Sequence, residues 1–222
     1  MPLPKEQVTT GLVNELGAFG ELVGSLNEEE LATPSRCEGW SVGDVAGHVI
    51  GTMTDIVNGR LEGLGSPEVT ARQVEERRGR TGPQLAEELE QSTKMASDLL
   101  AAFDEAAWAA PSPGGYEGTL GDGIEALWYD AFVHNEDIRA ALGRPATRTE
   151  GLKAAVSHVA FELGKRGWGP ATLALTGMPE FPVKGGGGRR IEGDPYEFVL
   201  AATGRGNPAP LGLDETVNIY KD

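Results

Sequence analysis

Two histidines and one aspartate have the residue types and the spacing of a metal site. Asp130 and His134 are four positions apart in a segment with helical patterning, and residues at i and i+4 share one face of a helix. His48 lies in a second helical segment that begins near Trp40, so it can approach the same point from another helix. Imidazole nitrogens and carboxylate oxygens are common ligands of zinc. The spacing therefore predicts a metal site built from His48, Asp130 and His134.

Two further acidic residues lie one helical turn from the candidate ligands. Asp137 follows His134 and either orients its imidazole as a hydrogen-bond acceptor or carries charge on a solvated face. Asp44 precedes His48 and has the same two interpretations. The sequence alone leaves both alternatives open.

The other residues able to bind a metal give weaker signals. His158, the third histidine of the chain, has no acidic residue four positions before it and is predicted to be structural. Cys37 is the only cysteine, so it cannot form a disulfide within the chain or join a thiolate cluster for structural zinc. Because its one notable neighbour is Arg36, we interpret it as an incidental thiol rather than a reactive one.

The composition is that of an ordinary globular chain with a strong negative charge. The 222 residues are 39% hydrophobic, enough for a normal core, and the formal net charge is -15. This charge argues against binding to nucleic acid, which depends on clusters of Lys and Arg. The two short basic runs, residues 77–80 and 189–190, are predicted to lie on loops or solvated helix ends.

Signals for secretion or membrane insertion are missing from the sequence. The first residues lack a charged region followed by an apolar run. No segment approaches the ~20 apolar residues that a membrane span needs. We therefore expect a cytoplasmic protein whose partners include neither membrane nor nucleic acid.

Four long segments follow helical periodicity, at about residues 4–26, 41–61, 81–103 and 120–142. Ser41 with Asp44 resembles a capping box, and Thr81 can cap the third segment. The apolar residues of that third segment are expected to be buried: Leu85, Leu89, Met95, Leu99, Leu100 and Phe103. Four long helices predict a bundle, a fold that commonly builds metal sites from facing helices.

The last third of the chain changes character. Residues 149–163 are still helical in pattern, but 171–176 alternate like a strand, and the four glycines 185–188 are interpreted as a tight hairpin leading to an extended segment. No Gly-Lys-Ser/Thr follows those glycines, which argues against a phosphate loop. A short helix at 195–202 and a final strand at 216–220 complete the prediction. The expected fold class is α+β, with a helical bundle in 1–146 and a small α+β domain in 147–222.

The segments around the candidate ligands resemble the mycothiol-dependent maleylpyruvate isomerase family, a branch of the DinB-like metalloenzyme superfamily. The resemblance rests on Gly39-Trp40-Ser41-Val42 leading to His48, and on the sequence from Asp130 through His134 to Gly143-Arg144-Pro145. It implies an N-terminal DinB-like four-helix bundle that binds a divalent ion, usually zinc, through His48, Asp130 and His134. Asp130 departs from the pattern, since the family usually has glutamate at this position.

The resemblance also implies a thiol cofactor and an arginine that acts on the substrate. Ala201-Ala202-Thr203-Gly204-Arg205 is similar to the family's C-terminal helix ending in Gly-Arg, which implies that Arg205 faces the site as a catalytic and cofactor-binding residue. Family members use a low-molecular-weight thiol, here expected to be mycothiol. The partners of the protein would then be that thiol and a small-molecule substrate, and the protein would be a monomer or a homodimer.

Three protein ligands would leave one coordination position of the ion open, as in catalytic zinc sites. A thiol at that position would be deprotonated, which favours isomerisation or S-transfer on a small electrophile. Two alternatives stay open: a DinB-like hydrolase that activates water, and a non-enzymatic binding protein that keeps the fold.

Overall fold

The computed structural model describes residues 3–221 and separates them into two compact units. The first is Pro4–Thr147, which is helical. The second consists, among the described residues, of Leu3 and the chain from Arg148 onward, and it contains a small sheet with helices. The α+β fold class is confirmed. The division into two domains at residue 146 stays a prediction, and its outer ends, residues 1, 2 and 222, lie outside the described residues. Between residues 3 and 221, each helix falls short of the length or the apolarity needed to cross a membrane.

The N-terminal unit is built on four long helices. Its elements are α1 (Lys5–Gly24), α2 (Glu28–Leu31), α3 (Val42–Val57), α4 (Pro67–Glu75), α5 (Gly82–Ala102), α6 (Glu105–Ala109) and α7 (Leu120–Ala141). Helices α1 and α3 each pack against both α5 and α7, which makes the predicted four-helix bundle. The starts of α3, α5 and α7 are fixed by capping boxes at Ser41, Thr81 and Thr119.

Apolar stripes at helical spacing fill the interior of the bundle. The main buried side chains are Val8, Leu12, Leu16, Phe19, Val45, Val49, Ile50, Met53, Leu85, Leu89, Leu100, Ile124, Trp128, Phe132 and Ile138. The prediction was wrong for Met95 and Leu99, which are 45% and 43% exposed. The buried stripe of α5 runs through Leu89, Ala96 and Leu100. Met95 precedes Ala96 and Leu99 precedes Leu100 by one position, which is about 100° around the helix.

Helices α1 and α7 approach closely where Gly11 faces Trp128. A Cβ atom at Gly11 would lie 2.2 Å from two atoms of the indole ring, a distance that real atoms do not reach without movement. The ring itself is 1% exposed and fills the space that a side chain would take. Glycine at position 11 is therefore required by packing rather than by backbone conformation.

We expect Gly11→Ala to lower the free energy of unfolding by about 1–3 kcal/mol, the usual cost of overpacking a core. Gly17→Ala, on the same helix, is the matched control, because a Cβ at Gly17 would meet no atom within 4 Å. It should instead stabilise by up to about 1 kcal/mol through helix propensity. Urea unfolding of both variants measures the difference. Equal effects at the two positions would contradict the packing argument.

Helix α4 escaped prediction because its packing on α3 is largely polar. Gln73 is 1% exposed, and its side chain accepts a hydrogen bond from Thr52 and donates one to Asp55. Small residues on α3 admit this contact, since a Cβ at Gly51 would lie 2.5 Å from the Cβ of Gln73. A pattern of apolar residues could not have revealed such a helix.

Asp55 is the centre of this polar layer. The carboxylate is fully buried and accepts hydrogen bonds from Arg60 at 2.7 Å, Arg72 at 2.6 Å and Gln73 at 2.7 Å. Burial alone would raise the pKa of Asp55, but the hydrogen bonds from Arg72, Gln73 and Arg60 outweigh it and hold the pKa below its ordinary value. The cluster joins α3 to α4 and to the turn after α3.

The basic run 77–80 was predicted to be solvated, and this was wrong for its first residue. The side chain of Arg77 is 3% exposed and donates to the carbonyl oxygen of Gln73 and to Glu88 of α5. Arg78 and Arg80 are exposed, as predicted. Arg77 is buried because it has anionic and carbonyl acceptors on two neighbouring helices.

The C-terminal unit combines two helices and a three-stranded sheet. Its elements are α8 (Gly151–Lys165), β1 (Ala171–Leu175), β2 (Phe181–Val183), β3 (Arg189–Gly193) and α9 (Pro195–Ala202). The sheet order is β2-β1-β3, with β1 antiparallel to β2 and parallel to β3. The hairpin prediction for residues 185–188 was therefore wrong, because the glycines connect strands on opposite sides of β1.

The strand predicted at 216–220 was also wrong. Val217 and Ile219 are both buried, and this alternation suggested a strand. The chain instead forms a short 3-10 helix at Glu215–Val217, because the side chain of Asp214 accepts a hydrogen bond from the backbone N–H of Thr216.

Candidate metal centre

Helices α3 and α7 bring the three predicted ligands together. The Nε2 atom of His48 lies 3.6 Å from Oδ2 of Asp130, and Nε2 of His134 lies 3.4 Å from Oδ1 of the same carboxylate. One ligand atom from each of the three residues lies within 4.8 Å of the others. The two imidazole rings meet edge to face with centroids 5.3 Å apart.

These distances suit a shared ion better than direct hydrogen bonds. Ligand atoms about 2.0–2.1 Å from a tetrahedral zinc ion are separated from one another by about 3.3 Å. Separations of 3.4 and 3.6 Å are close to that value, whereas a good N–H···O hydrogen bond spans about 2.9–3.0 Å. The shorter aspartate at position 130 still reaches both histidines, so the residues present fit a divalent ion.

The electrostatics of the cluster favour a charged carboxylate. Burial by itself raises the pKa of Asp130, but the positive charge of His134 and the interactions with both imidazoles outweigh it and hold this pKa far below its ordinary value. For His134, burial lowers the pKa, yet the charge of Asp130 and the contacts with Asp130 and Asp137 raise it well above the usual range. The carboxylate thus presents negative charge to a cation at any pH near neutrality.

Asp137 orients His134 from the next turn of α7. The Nδ1–H of His134 donates to Oδ2 of Asp137 over 2.9 Å, and this carboxylate is 0% exposed. The Nε of Arg36 donates to the other carboxylate oxygen, Oδ1. With one proton held on Nδ1, the proton on Nε2, on the Asp130 side, is the one that a bound ion would displace. Of the two interpretations that the sequence left open for Asp137, the orienting one fits.

His48 is held in a different way. Its ring packs against Trp40, with centroids 5.4 Å apart and the planes tilted by 52°. Its buried Nδ1 atom has no hydrogen-bond partner among residues 3–221. Asp44 lies elsewhere, because its carboxylate closes the capping box of α3 and pairs with Arg78. Packing rather than a second acceptor therefore positions His48.

Cys37 lies beside the site, which the sequence did not predict. Its S–H donates to Oδ2 of Asp137 over 3.2 Å, and Sγ lies 4.0 Å from Nδ1 of His134. Cys37 and Asp137 are 100 residues apart, so no local spacing could have linked them. The thiol faces the ring nitrogen of His134 that Asp130 does not use.

The two remaining candidates belong to the C-terminal unit. His158 is buried on α8. Arg205 follows α9, where the N–H of Gly204 donates to the oxygen of Ala201 and the N–H of Arg205 to that of Leu200. This is a Schellman turn, and Gly204 adopts the left-handed φ of +71° that it requires. The turn fixes the backbone of Arg205, whose role stays a prediction.

Two histidines and a carboxylate converge here from two helices of a bundle. The fold and the site therefore place the protein in the class of helical bundles that carry a candidate metal site between facing helices. The family model described as mycothiol maleylpyruvate isomerase N-terminal domain matches residues 12–139, more than half of the chain. The chain belongs to this family.

Two solved structures share the fold. One is described as the mycothiol-dependent maleylpyruvate isomerase, and the other as a histidine-to-alanine mutant of it. Each is 19% identical to this chain, covers 92% of it and is itself covered to 90%, with a TM-score of 0.63. No curated protein matches the sequence significantly.

Proposed function

We propose that the chain is a metal-dependent enzyme that uses a low-molecular-weight thiol, mycothiol, for isomerisation or S-transfer on a small electrophilic substrate. The observation that carries the proposal is the convergence of His48, Asp130 and His134 in a member of a family named for a mycothiol-dependent isomerase. These three residues would hold the ion, which we propose is zinc. The protein would act as a monomer or homodimer.

Each residue of the centre has a separate part in this function. Asp130 supplies the negative charge, and the two imidazoles supply neutral nitrogen ligands from opposite helices. Asp137 keeps the proton of His134 on Nδ1, so that Nε2 is available to the ion. A divalent ion held there would supply the positive charge that keeps a bound thiol deprotonated near neutral pH.

The proposed chemistry follows from a thiolate at this place. Addition of the thiolate to an activated double bond turns it into a single bond that can rotate. Elimination of the same thiolate then restores the double bond with the opposite geometry and regenerates the thiol. Attack on a saturated carbon instead forms a stable thioether and expels a leaving group, which is S-transfer.

The test is turnover by the zinc-loaded protein with and without mycothiol, using maleylpyruvate and an epoxide as substrates. Isomerisation would convert maleylpyruvate while the thiol concentration stays constant. S-transfer would consume one thiol for each epoxide opened. Hydrolysis of either compound without thiol would favour a water-activating enzyme, and binding without turnover would favour a binding protein. Either of these last two results would reject the proposal.

Arg205 would bind a carboxylate of the substrate or polar groups of the thiol. Its planar guanidinium can donate two hydrogen bonds to one carboxylate, and losing such a charge-assisted contact costs roughly 1.5–3 kcal/mol. We therefore expect Arg205→Ala to lower kcat/KM by about 10- to 150-fold without changing metal content. Steady-state kinetics with maleylpyruvate measures the effect.

Arg166→Ala, which removes another arginine of the same unit, is the control and should leave kcat/KM near that of the parent. Arg205→Lys should recover only part of the loss, because an ammonium group cannot donate in the same fork. Unchanged kinetics in Arg205→Ala would show that the residue only ends α9.

A further inference from the structure

Three potential ligands converge on the Nδ1 side of His134, opposite the centre described above. The Sγ atom of Cys37 lies 3.2 Å from Oδ2 of Asp137 and 4.0 Å from Nδ1 of His134, and Nδ1 lies 2.9 Å from the same Oδ2. The three atoms form a small triangle of thiol, imidazole and carboxylate. Two protons, one on the thiol and one on the imidazole, are directed at a single carboxylate oxygen.

This donor set and its spacing suit a thiophilic ion. Bond lengths of about 2.3 Å to sulfur and 2.0–2.2 Å to nitrogen and oxygen separate tetrahedral ligands by about 3.3–3.6 Å. The three observed separations, 3.2, 4.0 and 2.9 Å, lie on both sides of that range. Movements of about 0.5 Å would therefore make room for an ion in place of the thiol proton.

The other oxygen of the Asp137 carboxylate is held by Arg36. Arg36 binds Oδ1 through its Nε, so Oδ2 can bind an ion while that ion pair persists. The carboxylate is 0% exposed, which restricts its rotation and keeps both oxygens in place. Once Cys37 and His134 have lost protons to solvent, a thiolate and a carboxylate against one guanidinium leave one net negative charge to balance a bound ion.

We propose that Cys37, Asp137 and His134 form a second metal site, selective for thiophilic ions, and that it competes with the first through the shared imidazole. Binding of a divalent ion releases two protons to solvent, that of the Cys37 thiol and that on Nδ1 of His134, while Nε2 keeps its proton. A neutral imidazole has one lone pair, so Nδ1 and Nε2 cannot both bind an ion unless the ring loses its last proton. The competition, though not the second site itself, rests on the proposed first centre.

Cadmium titration of the chelator-treated full chain tests the second site. Thiolate ligation gives Cd²⁺ a charge-transfer absorption in the ultraviolet. We expect this band in the parent and in His48→Ala at comparable Cd²⁺ concentrations, because His48 belongs only to the first centre. Cys37→Ser and His134→Ala should lack the band at the concentration that saturates the parent, and Asp137→Asn should need at least about tenfold more Cd²⁺.

Two results would overturn the site. Absence of the band in the parent would show that the triangle only makes hydrogen bonds. A band that persists unchanged in both His134→Ala and Asp137→Asn would show that Cys37 binds the ion without the other two residues. Circular dichroism of each variant identifies any that fails to fold, and Cys37→Ala provides a second thiol-free variant.

Zinc titration of the cadmium-loaded chain tests the competition. If the two sites exclude each other, zinc should bleach the band at a concentration at least about tenfold lower in the parent than in His48→Ala, which lacks the first centre. If the same zinc concentration bleaches the band in both proteins, the two sites do not exclude each other. If the parent gives the Cys37-dependent band but shows no thiol-dependent turnover, the second site is supported and the proposed function is rejected.

Discussion

Replacement of His134 by alanine should abolish retention of the divalent ion. Structural zinc sites with four ligands release about 10–16 kcal/mol on binding, so one ligand accounts for roughly 3 kcal/mol, or more than about 100-fold in affinity. The ion would then have only two protein ligands, Asp130 and His48, which are too few for a stable site. Metal analysis of protein purified without chelator, followed by competition with a zinc-binding dye, measures the loss.

Matched variants separate ligation from folding. His158→Ala removes the other buried histidine of the chain and should leave the metal affinity unchanged even if it lowers Tm. Asp130→Glu restores the ligand usual in the family and should keep or strengthen binding, whereas Asp130→Ala should weaken it. Full zinc occupancy in His134→Ala would reject the assignment of the centre.

The second large effect is expected at Asp55. Breaking a buried ion pair by removal of one partner costs about 3–5 kcal/mol, and because Arg60 and Arg72 are partly exposed we expect Asp55→Ala to lie near about 3 kcal/mol. The loss also leaves the buried amide of Gln73 without its acceptor. For a chain of this size, Tm should fall by about 6–12 °C. Calorimetry or urea unfolding measures both quantities.

Glu76→Ala is the control because Glu76 pairs with the same arginine, Arg72, from an exposed position one helical turn away. Such surface pairs contribute about 0.3–0.5 kcal/mol. A similar loss in the two variants would mean that the buried position of Asp55 adds nothing.

The pH dependence of stability gives an independent check on Asp55. Its pKa in the folded chain is lowered, so its contribution is fully present above the unfolded value of about 3.9 and is lost as the pH falls through the folded pKa. The parent should therefore lose more Tm than Asp55→Asn between neutral pH and pH values below about 4. Parallel Tm curves for the two proteins would contradict the lowered pKa.

The centre could be located from the sequence because two of its three ligands are close together in the chain. Asp130 and His134 are separated by one helical turn, and the segment that contains them had the apolar periodicity of a long helix. His48 required a second helix and a resemblance to a known family. The shared position of the three residues then followed from the bundle, in which α3 packs against α7.

The surroundings of the centre could not be predicted because their contacts join distant residues. Arg36 and Cys37 reach Asp137 across about a hundred residues, from a loop that has no periodic pattern. Helix α4 was missed because buried polar side chains, Gln73 above all, take the positions where apolar residues would have marked a packing face. In both places hydrogen bonding rather than hydrophobic patterning determines the structure.

The order of the three strands limits what the C-terminal sheet can pair with. Its outer strand β2 is three residues long, and its central residue Pro182 has no N–H to offer a further strand. The opposite outer strand, β3, carries the exposed charges of Arg189, Arg190 and Glu192. Brevity, proline and charge are the means by which natural sheets avoid recruiting strands from another molecule. This sheet is therefore a poor template for fibrillar aggregation, even in concentrated protein.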